Sequence, residues 1–110
     1  MSYNVLCLTA QVINVSEKIT FRGKDGKDHI KVEIEVKVPR EQPVTDTYEF
    51  DIYKMTLLNR RVEDWFKSGF KTYQWLNIDF TIRAYKTKDG KAFNHFLVNS
   101  SKLAPNRLVS

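Results

Sequence analysis

Hydrophobic and polar residues alternate along most of this chain with the two-residue period of a β-strand, and one stretch changes to helical spacing. Val5 to Val15 is a β-favouring run with Leu6, Leu8, Ala10 and Val12 on one face and Thr9 and Gln11 on the other, which predicts a first strand. The alternation is strictest from His29 to Val38. There Ile30, Val32, Ile34, Val36 and Val38 share one face, and His29, Lys31, Glu33, Glu35 and Lys37 share the other, so this strand buries one side only. Ahead of it, Phe21-Arg22-Gly23-Lys24-Asp25-Gly26-Lys27 carries an Asp-Gly turn signal, which predicts that the first two strands pair as a hairpin.

Pro39 and Pro43 bracket a polar connection, where a residue without a backbone donor cannot continue a ladder. Thr45 to Tyr53 then predicts a third strand, with Tyr48, Phe50 and Ile52 opposed by Thr47, Glu49, Asp51 and Tyr53; which tyrosine faces water stays open. From Met55 to Lys67 the period becomes helical through Leu58, Val62, Trp65 and Phe66, and Ser68-Gly69 supplies the stop. Trp65 and Phe66 fall on the apolar stripe and are expected to plug the end of a barrel. Trp75 to Tyr85 predicts a fourth strand, with Leu76, Ile78, Phe80, Ile82 and Ala84 inward and Trp75, Asn77, Asp79, Thr81, Arg83 and Tyr85 outward. Thr87-Lys88-Asp89-Gly90-Lys91 is a second Asp-Gly turn into a fifth strand, Ala92 to Asn99, and the residues from Leu103 onward read as a loose tail. A mainly β chain of five strands with one α-helix between strands 3 and 4 has the element order of an OB-fold barrel. Residues 1–104 are expected to form that domain and residues 105–110 a short C-terminal tail.

Composition adds a partner class. With 110 residues, 42% hydrophobic and 28% charged, the chain can bury its own core, and no glycine- or proline-rich stretch breaks it. Cys7 has no second cysteine to pair with, which points to a reducing cytoplasm. The N-terminus lacks a basic region followed by an apolar core, so neither export nor a membrane span is expected. Lys and Arg outnumber Asp and Glu by 18 to 13, a net charge of +5 that favours polyanions such as nucleic acid.

No enzyme, metal or cofactor is expected, because His29 and His95 lie on different strands and no Gly-rich phosphate loop occurs. The carboxylate pairs Glu33/Glu35 and Glu49/Asp51 could serve a hydrolase or a divalent metal, but Lys31 and Lys37 interleave with the first pair as on a solvated strand face.

Four aromatic residues are candidates for base stacking: Phe21 beside a turn, Tyr53 at a strand end, and Trp75 and Tyr85 on an outward face. Arg83 shares a strand face with Tyr85; Lys86, Lys88 and Lys91 decorate the second hairpin, and Arg22, Lys24 and Lys27 the first. Two basic fingers would thus flank a groove. Turn lysines equally serve solubility, and Trp75 equally suits a contact between subunits.

These stretches resemble the single-stranded DNA-binding protein family of bacteria and their phages, from Val5 to Leu103. Val5-Leu6-Cys7-Leu8-Thr9-Ala10-Gln11-Val12 looks like the family's opening strand, and Phe21 to Lys27 like its aromatic and Gly-containing hairpin. Tyr48 to Lys54 resembles the aromatic-bearing strand before its helix, and Ser68-Gly69 the Lys-Gly that closes it. Ile82-Arg83-Ala84-Tyr85-Lys86-Thr87-Lys88-Asp89-Gly90-Lys91 looks like its Arg-containing strand, with Tyr85 in the stacking role.

The resemblance implies an OB-fold that assembles into a homo-oligomer, a dimer or tetramer, and binds single-stranded DNA without sequence preference in replication, recombination and repair. This chain departs from the pattern in two places. Glu49 and Asp51 would repel DNA, and the family's acidic, aromatic-ended tail is not matched by Asn106-Arg107-Leu108-Val109-Ser110, which predicts either a phage-type minimal protein or one that uses another partner surface. An alternative is an OB-fold adaptor for a replication or recombination protein, for which the acidic Glu49 and Asp51 face speaks.

Overall fold

The computed structural model describes residues 5–40 and 50–105. Its elements are β1 (Val5–Val15), β2 (Ile19–Arg22), β3 (Asp28–Pro39), β4 (Phe50–Leu58), α1 (Arg60–Ser68), β5 (Trp75–Lys86) and β6 (Ala92–Leu103). The strands bond in the order β1-β5-β6-β4-β3-β2, and β1 pairs with β3 as well. That last pairing closes a barrel and leaves β2 as a flap on β3.

β1 closes the ring by changing neighbours along its length. Val5–Gln11 pairs with β5, whereas Gln11–Val15 pairs with Ile34–Lys37 of β3 around a bulge between Val12 and Asn14. Such a bulge turns a strand sharply enough to pass from one side of a barrel to the next. β4 meets β6 in parallel at Thr56 and Leu97, between antiparallel ladders on either side.

The two-residue period does what it predicts in the barrel wall. Ala10, Val12, Val32, Ile34, Val36, Met55, Leu76 and Ile78 are fully buried, and alternate residues of the same strands face outward. α1 covers one end of the barrel with Val62 and Trp65, and Trp65 meets Phe70 edge-on at 4.9 Å.

The structure corrects several boundaries and faces. Met55, Thr56 and Leu57, expected to open the helix, are buried strand residues paired with Ile34, Glu33 and Val32. The helix begins only after Asn59, whose φ of 51° ends the strand. Residues 45–49, including Tyr48 and Glu49, lie outside the described residues. Phe66 does not join Trp65 in the barrel end; it is exposed, with the Lys18 ammonium 4.7 Å above its ring, because the helix turns its Val62 and Trp65 side to the barrel and Phe66 lies about 100° further round. Leu6, Ile82 and Ala84 hold inward positions in the alternation yet stay exposed, since β1 and β5 outrun the barrel at those ends. The Asp-Gly turn of the first hairpin joins β3 to the short β2 rather than to β1. β6 continues past Asn99 to Leu103, which pairs with Leu76.

Two hairpins extend beyond the wall: a first finger, β2–β3, and a second, β5–β6. Their turns are built alike. Gly23 N–H donates to the Lys27 carbonyl at 2.9 Å and Gly26 N–H to that of Gly23 at 3.0 Å; Thr87 and Gly90 repeat both bonds with Lys91 and Thr87 at 2.9 and 3.0 Å. Gly26 and Gly90 take the left-handed φ values of 77° and 86° that a side chain would resist. Each aspartate locks its turn, Asp25 by accepting from the Lys27 N–H at 3.0 Å and Asp89 by accepting from the Thr87 hydroxyl.

Candidate nucleic-acid interface

One outward face runs without a break across β2, β3, β4, β6 and β5. Cross-strand pairing sets Phe21 beside His29, Glu33 beside Thr56, Glu35 beside Lys54 and Lys37 beside Ile52, then Arg83 beside His95 and Tyr85 beside Phe93. Because β6 is parallel to β4, the second finger leaves the sheet at the Phe50 end, while the first finger leaves at the opposite end, next to Leu58. The fingers bracket the face from both ends.

The second finger carries the denser aromatic group. Tyr85 and Phe93 stand with centroids 5.8 Å apart and rings 31° from parallel, and both are about half exposed. Lys86, Lys88 and Lys91 follow at the exposed tip of the same finger, and Arg83 lies one step nearer the barrel on the same face as Tyr85. Close by on β3 and β4, the Lys37 ammonium sits 4.2 Å over the exposed Phe50 ring, beside exposed Ile52.

The first finger carries Phe21, stacked on His29 at 5.6 Å, with the Lys31 ammonium 5.7 Å from its ring centre. His29 is fixed from two sides. Its Nε2 lies 3.0 Å from Asp25 Oδ1, and its Nδ1 lies 3.0 Å from Asn59 Nδ2. Asn59 Oδ1 already accepts the Ile30 N–H, so its amide can only donate to His29, which leaves Nε2 to donate to the Asp25 carboxylate. That bond, with help from the Lys27 N–H, holds the Asp25 carboxyl below its ordinary pKa. Asn59 is thereby drawn away from capping α1 and ties the finger to the barrel instead. Phe21, Gly23, Lys24, Asp25, His29 and Asn59 frame an open hollow of about 370 Å³. Lys24 is exposed at its rim, and Arg22 is exposed on the other face of the same finger, its Nε 3.5 Å from Asp28 across the strand pair.

Two expected site residues sit elsewhere. Tyr53 is not at a strand end but within β4, half-buried on the inward side, its ring edge-on to Phe96 at 5.7 Å. Trp75 is half-buried at the far end of β5, about 33 Å of extended strand from Tyr85. Asp51, expected to repel DNA, is matched by Arg40, whose Nη2 and Nε donate to Asp51 Oδ1 at 2.8 and 3.2 Å and hold its carboxyl below the usual carboxylate range.

The face also holds residues the sequence reading passed over: Phe93, Phe50, Ile52, Lys54 and His95. Phe93 was within reach, since counting back evenly from the Asp89-Gly90 turn sets it opposite Tyr85. His95 was not, because its Nε2 meets the hydroxyl of nearly buried Thr56 at 2.7 Å, a pairing between strands distant in sequence. Among the described residues no group of three or more His, Cys, Asp or Glu is placed to hold a metal ion.

No protein-family model matches the chain, and no curated protein matches it. Solved structures do. The mitochondrial single-stranded DNA binding protein Rim1 from S. cerevisiae superposes with a TM-score of 0.60 at 11% identity, covering 96% of this chain and 99% of that one. A small single-stranded DNA binding protein from Mycoplasma pneumoniae gives 0.61 at 14% identity, covering 98% and 100%. This chain has their OB-fold. The protein priB from Ralstonia solanacearum shares it as well, with a TM-score of 0.62 at 9% identity over 94% of this chain and 100% of that one. At such identities the likeness is one of backbone, and the side chains of the interface have to be judged on their own geometry. No helix of the described OB barrel is long and apolar enough to cross a membrane.

Proposed function

We propose that the chain binds single-stranded DNA without sequence preference, by neutralising phosphates and stacking bases on exposed rings. The observation that carries this reading is the continuous outer face with Phe21 at one end and Phe50, Phe93 and Tyr85 at the other, with lysines or arginines on the finger that extends from each end. Every base presents a π-face, so a ring of this kind holds a strand whatever its sequence, at about 1–3 kcal/mol per base. A duplex keeps its bases stacked on one another and offers such rings nothing.

In this reading Tyr85, Phe93, Phe50 and Phe21 stack, while Arg83, Lys86, Lys88 and Lys91 on one finger and Arg22 and Lys24 on the other meet phosphates. Tyr53 supports β4 from within, and Trp75 lies outside the DNA path. The names of Rim1 and of the Mycoplasma protein state single-stranded DNA binding and support the same class.

The role that follows is protection of exposed strands in replication, recombination and repair, by more than one copy of the chain. Support for assembly comes from β1: within the described residues its first half bonds along one edge only, to β5, and Val5 and Leu6 there are exposed.

The test is a titration of the full chain with fluorescent oligo-dT and a matched duplex at low and physiological salt, alongside a Tyr85→Ala, Arg83→Ala double variant. Tight, salt-sensitive binding selective for the single strand and weakened by the variant is expected. Equal affinity for the duplex overturns the single-strand reading, and no binding to either DNA overturns it in favour of the adaptor role.

A further inference from the structure

The centre of the interface carries two carboxylates. Glu33 and Glu35 occupy successive outward positions of β3, between Phe21 on one side and the group of Phe50, Phe93 and Tyr85 on the other. Lys54 stands directly across from Glu35 and diagonally from Glu33. Its Nζ is 3.8 Å from Glu33 Oε2, while the Lys31 Nζ is 3.8 Å from Glu33 Oε1. One carboxylate therefore engages, through its two oxygens, the two ammonium groups beside it on the face. Glu35 is tied off separately, its Oε1 accepting from Asn14 Nδ2 at 3.2 Å.

Partly exposed ion pairs of this length add little to a fold. Yet two oxygens of one anion, each facing a lysine, offer the same charge and the same contacts as the non-bridging oxygens of a phosphodiester. We infer that Glu33 is a built-in competitor of the DNA backbone, holding Lys31 and Lys54 until a strand crossing the face displaces it. This rests on the single-strand reading above. It makes the two ends of the face the strong contacts and the middle a weak crossing, and it lowers affinity for any polyanion too sparsely charged to displace the carboxylate.

The competition has a direction that mere bracing of the sheet does not. Removing the Glu33 charge frees two lysines for phosphates, so binding tightens and grows more salt-sensitive. If Glu33 only braced the β3–β4 pairing, its loss would lower the melting temperature and leave DNA affinity alone.

The experiment compares wild type, Glu33→Gln and Glu63→Gln, the last making the same charge change on the exposed surface of α1, by titration with fluorescent oligo-dT across a salt series. Melting temperatures are measured in parallel, and Glu33→Ser serves the same comparison should the glutamine variant fold poorly. Glu33→Gln is expected to bind about three- to tenfold more tightly than Glu63→Gln at low salt. Its log–log salt slope should steepen by up to about 1.4, for two further phosphates on a single strand. Lys54→Met should cost more affinity in the Glu33→Gln background than in wild type. Folded Glu33 variants that bind no more tightly than Glu63→Gln overturn the competitor role while single-strand binding stands. A wild type that does not bind oligo-dT at low salt removes the single-strand reading and this one with it.

Discussion

Tyr85 and Phe93 lie directly opposite each other across the second finger, their rings 5.8 Å apart and tilted by 31°. Neither is covered by the barrel, so the pair forms a projecting aromatic surface broad enough for adjacent bases. Tyr85→Ala and Phe93→Ala should each weaken oligo-dT binding by about 1–3 kcal/mol. Because the rings touch, the double variant should lose less than the sum. Tyr85→Phe keeps the π-face and should bind nearly as wild type does. Titration of the four variants checks all three statements, and a Tyr85→Phe loss as large as that of Tyr85→Ala would show the hydroxyl, not the ring, to be in use.

Trp75 gives the opposite expectation. It sits half-buried at the barrel end of β5, far from the fingers, where its carbonyl accepts the Ala104 N–H at 2.9 Å. Trp75→Ala should lower the melting temperature and leave oligo-dT affinity within about twofold, since the lost burial falls on the fold and not on the interface. An affinity loss on the scale of Tyr85→Ala would bring this end of β5 into the DNA path.

Gly23 is constrained by space. A Cβ there would stand 2.6 Å from His29 Cδ2, 2.7 Å from His29 Nε2 and 2.8 Å from Asp25 Oδ1. His29 cannot swing aside freely, being held by Asn59, Asp25 and the Phe21 stack. Gly23→Ala should therefore release His29, cost about 1 kcal/mol of stability and let Phe21 tilt, lowering DNA affinity in step with Phe21→Ala. Thermal melts and titration read the two effects separately. Gly26→Ala meets no atom within 4 Å, and its cost comes from φ alone, so it should loosen the turn and spare the His29 clamp.

The barrel was legible because its strands alternate and its turns are Asp-Gly. His29 to Val38 and Leu76 to Phe80 bury the residues the period assigns them, and Tyr85, Arg83 and the finger lysines are exposed as expected. What escaped has a physical cause in each case. Met55 to Leu57 are all apolar or small enough to suit a helix start, and only pairing with β3 makes them strand. β4 turns Tyr53 inward and Phe50 and Ile52 outward, opposite to the sense that places the apolar residues in the core, because Met55 and Leu57 further along the strand fix its phase. The Glu33 and Lys54 contact, like that of Thr56 with His95, joins strands by tertiary register, which no local pattern encodes.

The Arg40–Asp51 pair lends itself to a pH test. Arg40 holds the Asp51 carboxyl below its usual 3.8, so the folded state binds the proton less readily than the unfolded chain. A carboxyl depressed in this way contributes stability that is fully present above the unfolded value and lost as pH falls through the folded one. The window therefore lies below about pH 4. Arg40 is exposed and Asp51 half-exposed, and the effect is correspondingly small. Asp51→Asn should melt slightly below wild type from pH 7 to pH 5, and the gap should close as pH is lowered toward 2, where wild type has lost the same charge. Asp25, depressed by its bond from His29, and Asp89, depressed by the Thr87 hydroxyl, add acid sensitivity of the same sign in wild type and variant alike, so they cancel in the difference. A gap that persists unchanged to pH 2 would mean that Asp51 acts through its shape and hydrogen bonds and not through its charge.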